Sequence, residues 1–409
     1  MKETSQLEVT EVIGMDAHSR KLALCHMRRA GGKTVKVKTV ATTLDALEST
    51  YAKQMPPGAL TVLESSGNSF SIVRRLNAIG RPARVLSSDV LSGLSRQDRV
   101  NDRIDAENLA RVYLARGESL RAVFPPSTRG VGMRETYFAY RDAKKDMTRE
   151  SNRIWAFCNR HGLDVDRRMS KRRCRAMIDE GKARGWAGPL LERAEALAGD
   201  WERARERCGE REKAIERAVF ADDAMVRLQQ VPGVRYIVAF ALVAFVEDVR
   251  RFESPKKLVS YIGLNPTVSE SGEADGKRRV SDFGRRDLKS LFIEAAHAAM
   301  RTESDLAKWA RRLLAKGKEW NVVMVALARK LVVLCWHILM GHPTPNRERE
   351  SGTARKLMRL AQLVGKEAIE KSGYPSAKDF VETACSALYG HLPEQPKEVA
   401  RSDCALQTT

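Results

Sequence analysis

An α/β region followed by a longer, mainly helical remainder is the fold class that this sequence predicts, on three observations. As far as about Arg116, short β-rich runs alternate with helical ones. Beyond "FPPS", at Pro125 and Pro126, the pattern is helical and dense in arginine. Across 409 residues, 72 Lys+Arg stand against 52 Asp+Glu, a net charge of +20. That length exceeds one compact core, and that charge is too basic for an ordinary metabolic enzyme, so nucleic acid is the expected partner.

In the first region "EVTEVIGMD" reads as a strand ending at Asp16. "KLALCHM" and "KTVKVKTV" are the next two strands, with "RRAGGK" as their hairpin turn. A helical run covers about Leu44 to Ala52. "GALTVLE" is a buried strand ending at Glu64, "SFSIVRRLNAIG" an amphipathic helix with a glycine stop, and "RPARVLS" a further strand. The sheet is therefore mixed, and Asp16 and Glu64 fall at strand ends, where open α/β sheets place their ligands.

Helices dominate from there to about Gln230. Between Leu190 and Ala218 the residues at alternating steps of four and three are Leu190, Ala194, Leu197, Trp201, Ala204, Cys208, Arg211, Ile215 and Ala218, a heptad seam broken by Arg211. Such a seam packs on its own domain or on a second copy, and self-association is its functional reading. A second domain opens near "LQQVPGVRYIVAFALVAFVEDVRRF", whose apolar run from Tyr236 to Val246 suits a buried core helix. "VPGV" and "YIGLNP" flank it as turns. "RRDLKSLFIEAAHAAMR" resumes as an amphipathic helix, with further helices from about Leu306 to Met340. After "GHPTPNRERESG" come two short helical patterns and a polar tail. The expected parts are 1–125, 126–225 as a helical linker and coiled-coil oligomerisation region, 226–345, and a 346–409 helical tail.

No segment approaches the roughly 18 to 20 uninterrupted apolar residues of a membrane span. The opening "MKETSQLEVTEV" has no apolar signal-peptide core, so a cytoplasmic protein is expected. Seven scattered cysteines without CxxC spacing indicate neither a zinc site nor a disulfide framework.

Among many acidic residues, arrangement separates a few from solvated surface charge. Asp16 and Glu64 end strands with buried bodies. Asp102 and Asp105 in "VNDRIDAENLAR" are three apart, on one face at a helix start, where the helix dipole alone would also favour acid. Four oxygen-bearing side chains from two strand ends and one helix make a hard-cation site of the kind Mg²⁺ prefers, with Mn²⁺ a possible substitute. A pair of such ions stabilises both the attacking and the leaving oxygens of a phosphodiester.

The order Asp16, Glu64, Asp102, Asp105, with "IGMDAHS", "LESSG" and "NDRIDAENLAR", resembles the DEDD transposases and Piv/MooV-type DNA invertases. "VPGVRYIVAFALVAFVEDVRRFESPKKLVSYIGLNP", then "SESG" and "GKRRVSDFG", resembles the second domain of the same family. The resemblance spans most of residues 9 to 300. It implies a RuvC-like, ribonuclease-H-fold first domain binding Mg²⁺ through Asp16, Glu64, Asp102 and Asp105. It also implies a mainly helical transposase domain with an essential serine placed before glycine. That serine is Ser271, with Ser269 as runner-up. Alone, Ser271–Gly272 reads as a turn. Lys277, Arg278, Arg279, Arg285 and Arg286 would hold the phosphate and offset its charge.

A serine that attacks a phosphodiester keeps the broken bond as a phosphoserine ester, so strands can be exchanged and rejoined. The resemblance further implies donor and target DNA as partners, a guide RNA encoded by the element, and a homo-oligomer, dimer or tetramer, whose protomers share the site. Asp282 in "VSDFG" departs from the family, which commonly has lysine there, and a carboxylate at that place in Ser281 through Gly284 would repel a phosphate unless it faces away or a nearby arginine compensates. Two other readings compete: a structure-selective nuclease using water as nucleophile, and a non-catalytic nucleic-acid-binding protein.

Overall fold

The computed structural model describes residues 9–18, 20–29, 34–41, 46–87, 102–120, 122–267, 279–280, 284–344 and 347–390. The chain divides into two compact units, Met1–Ser127 and Thr128–Thr409. It is mixed α/β and mostly helical, with one larger sheet near the N-terminus.

That sheet has the order β3-β2-β1-β4-β5-β6, from β1 (Glu11–Ala17), β2 (Lys21–Arg28), β3 (Thr34–Ala41), β4 (Leu60–Glu64), β5 (Ala83–Leu86) and β6 (Ala122–Val123). β1 pairs antiparallel with β2 and parallel with β4, so the sheet is mixed as expected. Between β3 and β4 a π-helical turn, Ala46–Tyr51, runs into the short helix α1 (Ala52–Gln54). α2 (Ser69–Ala78) follows β4, and Gly80, at φ +71°, supplies the left-handed turn after it.

Side chains alternate across a strand, and both faces here are covered. Ile13, Met15, Leu24 and Leu63 pack with Tyr51, Ile72 and Leu76 on one face. On the other, Val12, Cys25 and Val62 pack with Ala106, Leu109, Ala110 and Tyr113 of α3 (Asp102–Arg116). Fully burying an aliphatic side chain of this size contributes about 1.5–3 kcal/mol. Gly14 lies on the α3 face, where an added Cβ would stand 1.9 Å from the Ala106 carbonyl oxygen. Only glycine permits that approach of strand to helix.

In the second unit α4 (Thr128–Arg160) and α6 (Pro189–Phe220) pack antiparallel, with α5 (Lys171–Ala183) beside them. Trp201 donates through Nε1 to Ser151 Oγ at 3.0 Å. Here one expectation is corrected: the Leu190–Ala218 seam is not a free face for a second protomer. Ala194, Leu197, Ala198 and Trp201 are buried with Ile154, Phe157, Cys174 and Met177 of the same chain. Heptad spacing specifies an apolar stripe, and α4 and α5 already cover this part of it.

α7 (Asp223–Arg227) leads to α8 (Tyr236–Val246), in which every residue from Val238 to Val246 is buried, as expected of a core helix. Its last carbonyls meet donors from elsewhere in the unit: Arg134 Nε on Ala244 O at 3.0 Å, Arg251 Nε on Val246 O at 3.1 Å, and the Tyr261 hydroxyl on Phe245 O at 3.1 Å. Cations suit that negative helix end. α9 (Pro255–Ile262), not foreseen, occupies "PKKLVSYI" and ends at Gly263, φ +84°.

After the strands β7 (Pro266–Thr267) and β8 (Arg279–Val280) come α10 (Arg286–Ala299), α11 (Asp305–Ala315) and α12 (Trp320–Met340). Three further helices, α13 (Glu350–Val364), α14 (Lys366–Lys371) and α15 (Ala377–Tyr389), replace the two expected. Lys356 on α13 donates to Gln229 O at 2.9 Å and Val231 O at 2.7 Å, tying this end to the "VPGV" turn. By length and composition alone α12 is apolar enough to cross a membrane. It carries Arg329 and Lys330 mid-helix, and Val323, Leu327, Leu331 and Cys335 are buried in the unit's core.

Candidate active site

Asp16 and Glu64 reach the same place by register. Met15 is paired with Leu63, so one step further along both parallel strands lie Asp16 and Glu64. Alternation puts them on the face that carries Val12, Gly14 and Val62, the face α3 covers. The backbone contact at Gly14 seats Ala106 and Ala110 on β1. Asp102, one turn before Ala106, and Asp105, one residue before it, then meet the end of the strand. All four predicted carboxylates are thus brought together.

The closest contacts run through a residue the sequence reading did not select. His18 Nε2 is 3.0 Å from Asp16 Oδ2 and 3.2 Å from Asp102 Oδ1. One ligand atom from each of Asp16, His18 and Asp102 lies within 4.8 Å of the others. His18 stands in the quoted "IGMDAHS", two residues past the strand-end aspartate, but a single histidine in a turn carries no pattern. Its carbonyl accepts from Asn68 Nδ2 at 3.0 Å, which ties the turn after β1 to the "LESSGNS" loop after β4. Ser69 Oγ, accepting from Ser66 N–H at 3.1 Å, shapes that loop.

Electrostatically these carboxylates oppose one another. Burial raises the Asp16 carboxyl above its ordinary 3.8; His18 counters this, and Asp105 and Asp102 raise it further. Burial also raises Glu64 above 4.5, with Asp16 and then Asp105 adding to it. Asp16 chiefly, then Asp102, raises the His18 imidazole above 6.5 against a smaller burial effect. Among the described residues no lysine or arginine is ion-paired with these four carboxylates. A cluster of mutually repelling oxygen donors with a partial cation at its edge is suited to a divalent metal ion.

In the second unit the arms of the serine segment are joined. β7 pairs antiparallel with β8 through Pro266–Val280 and Thr267–Arg279. Gly284, φ +105°, lies against Gly263, and a Cβ there would meet the Gly263 backbone at 2.6 Å. Arg285 N–H donates to Tyr261 O at 3.1 Å, and its guanidinium stacks 4.1 Å from the Phe245 ring centroid, with Asp287 3.8 Å away. Arg286 is exposed at the first position of α10. Ser269, Ser271, Lys277, Arg278, Ser281 and Asp282 lie outside the described residues, as does the Arg279 side chain.

A family profile described as "Transposase IS116/IS110/IS902 family" matches residues 225–311, and a DEDD transposase profile of the IS110 group matches residues 13–161. Together they hold all four carboxylates and the whole serine segment. A Pseudomonas aeruginosa protein described as "Probable family 20 transposase" is 24% identical over 339 residues, 81% of this chain and 94% of its own length. The transposase for insertion sequence element IS1111A of Coxiella burnetii is 25% identical, covering 69% of this chain and 78% of that protein. A pilin gene-inverting protein of Moraxella lacunata is 29% identical over 114 residues, 27% of this chain and 35% of that protein.

Proposed function

Since the chain belongs to the IS110 family of DEDD transposases, we propose that it exchanges DNA strands through a divalent metal held by Asp16, Glu64, Asp102 and Asp105 and a nucleophilic Ser271. The observation that carries this is the meeting of two strand-end carboxylates with two from the start of α3, with no lysine or arginine ion-paired to them among the described residues. The sheet order β3-β2-β1-β4-β5, with β2 antiparallel to its neighbours, supports a RuvC-like reading of the first unit.

The oxygen donors fit Mg²⁺, with Mn²⁺ as substitute; the His18 nitrogen beside them suits Mn²⁺ better. When bound, such an ion polarises a phosphoryl oxygen and offsets developing charge. The chain's own groups do the rest. Asp16 and Glu64 hold the site on rigid strands. His18 keeps Asp16 and Asp102 oriented and reduces their repulsion.

The Ser271 Oγ attacks phosphorus, its P–O bond forms as the ester to one strand breaks, and the departing strand oxygen takes up a proton. The phosphoserine keeps the ester energy until a strand hydroxyl displaces the serine and restores a phosphodiester. Arg285 and Arg286, with Lys277, Arg278 and Arg279, would neutralise the phosphate.

Donor and target DNA are the substrates in this reading. A guide RNA and a homo-oligomer belong to it through the family resemblance, the oligomer joined elsewhere than through the buried seam. A cytoplasmic site of action follows from acting on DNA.

The test is a Mn²⁺ titration followed by electron paramagnetic resonance, alongside a strand-exchange assay. Wild type should bind the ion and exchange strands. Asp16→Asn should lose both while keeping its circular dichroism spectrum; undiminished exchange by that variant would reject the assignment.

A further inference from the structure

Unit two carries an exposed aromatic surface unused by the carboxylate or serine chemistry. Trp320, the first residue of α12, is 47% exposed, and Val322, two residues on, is 55% exposed. No other tryptophan of the chain is exposed: Trp201 and Trp336 are buried, and Trp155, Trp186 and Trp309 are half-buried. A large indole at the surface forgoes a substantial hydrophobic gain, so a ligand that covers it recovers that gain on binding.

The surroundings indicate which ligand. The His297 ring on α10 lies 5.8 Å from the Trp320 ring, at 32° to its plane, so one face of the indole is partly covered and the other is open. Lys316 and Lys318, four and two residues earlier, are exposed in the turn from α11, and Asn321 is exposed next to the indole. Arg301, one turn beyond His297, and Arg312 in the last turn of α11 are exposed too. Among the described residues none of Arg301, Arg312, Lys316 and Lys318 has a carboxylate partner. Nearby Glu303 and Asp305 are engaged by Arg311 and Lys308. Glu294 and Glu319 remain, so the unpaired charge in this neighbourhood is positive.

From this juxtaposition we infer that Trp320 is a stacking platform for an unpaired base of single-stranded DNA, with Lys316 and Lys318 on the adjoining phosphates and the Asn321 amide at the base edge. Every base presents a π-face, so such a platform tolerates any sequence, whereas paired bases in a duplex keep their faces covered. The assignment rests on the DNA-acting reading above, in which strands are parted before they are rejoined. It adds a place where a parted strand is held.

Full-length protein is titrated with a fluorescein-labelled oligodeoxythymidine and with a blunt duplex, reading anisotropy and intrinsic tryptophan emission. Wild type should show quenched emission with the single strand. Trp320→Ala should abolish most of the quench and weaken single-strand binding roughly tenfold or more, with duplex binding unchanged. Trp320→Tyr should restore most of the affinity, which a merely structural role would not do. Replacing Lys316 and Lys318 by Ala should lower the salt slope while the quench is kept.

Single-strand affinity unchanged in Trp320→Ala, or lost equally for duplex, overturns the platform. So does tighter binding of an RNA oligonucleotide that also depends on Trp320. A change of oligomeric state in Trp320→Ala assigns the patch to a second copy instead. If wild type binds neither DNA, the DNA-acting reading fails; if it binds both and only the Trp320 dependence is missing, the platform alone fails.

Discussion

Both units press a glycine onto two alanines of a helix, yet the two helices deliver opposite charges. Gly14 meets Ala106 and Ala110 of α3, and Gly233 meets Ala295 and Ala299 of α10, with a Cβ 1.9 Å and 2.0 Å from the respective carbonyl oxygens. α3 begins with Asp102 and Asp105, which the positive end of the helix dipole favours. α10 begins at Arg286, preceded by Arg285, which the same dipole disfavours; Asp287 and the Phe245 ring offset part of that cost for Arg285. The difference teaches that one helix start gathers carboxylates that repel one another, whereas the other gathers arginines that Asp287 offsets only in part; in the reading proposed above the first takes a cation and the second a phosphate.

The largest expected effect breaks the shared device. Gly14→Val drives a branched side chain into the α3 backbone, beyond the about 1–3 kcal/mol of ordinary overpacking. It should cost the first unit its cooperative unfolding, seen by circular dichroism, while limited proteolysis finds the second unit intact. Gly233→Val should do the reverse, and more severely for its φ of +74°.

Next comes Leu197→Ala, expected to destabilise the second unit by about 2–5 kcal/mol without altering sedimentation, since the seam is internal. A dissociated oligomer in that variant would restore the self-association reading. A smaller effect separates the two arginines. Arg286→Ala should weaken DNA binding and reduce the salt slope by about 1 with folding unchanged, whereas Arg285→Ala should lower thermal stability as well.

The smallest effect concerns pH. Asp16 and Glu64 titrate above their ordinary 3.8 and 4.5 in the folded protein. The folded state therefore binds more protons than the unfolded state between those values and the raised ones. Metal-free protein should lose stability as pH rises through that window. Asp16→Asn with Glu64→Gln should flatten the loss, and added Mn²⁺ should offset it at neutral pH. A wild-type melting temperature that rises across this window would contradict the repulsion described here.

Much of the carboxylate site was legible in the sequence because strands encode it with period two: Val12, Gly14 and Asp16 declare a face, and Glu64 declares its neighbour. The three-residue step from Asp102 to Asp105 likewise puts both on one helix face. His18 was not legible, because its role depends on how the turn after β1 meets Asn68, fifty residues away. The Leu190–Ala218 seam was legible as a stripe but not as to what covers it, since spacing is blind to whose helix fills the groove. β6, two residues long, offers no alternation to detect. α9 is bounded by Pro255 and Gly263, and "YIGLNP" at its end reads as a turn.

In the proposed reaction broken DNA is held on Ser271 while the Asp16 cluster holds the metal. End-labelled donor DNA is incubated with protein, a divalent metal and any required RNA, then denatured, and the label that migrates with protein is digested and mapped. The account predicts a protease-sensitive adduct on Ser271, absent from Ser271→Ala and from Asp16→Asn, both of which still bind DNA. Strand exchange by Ser271→Ala, or cleavage by wild type with no adduct at all, would contradict it.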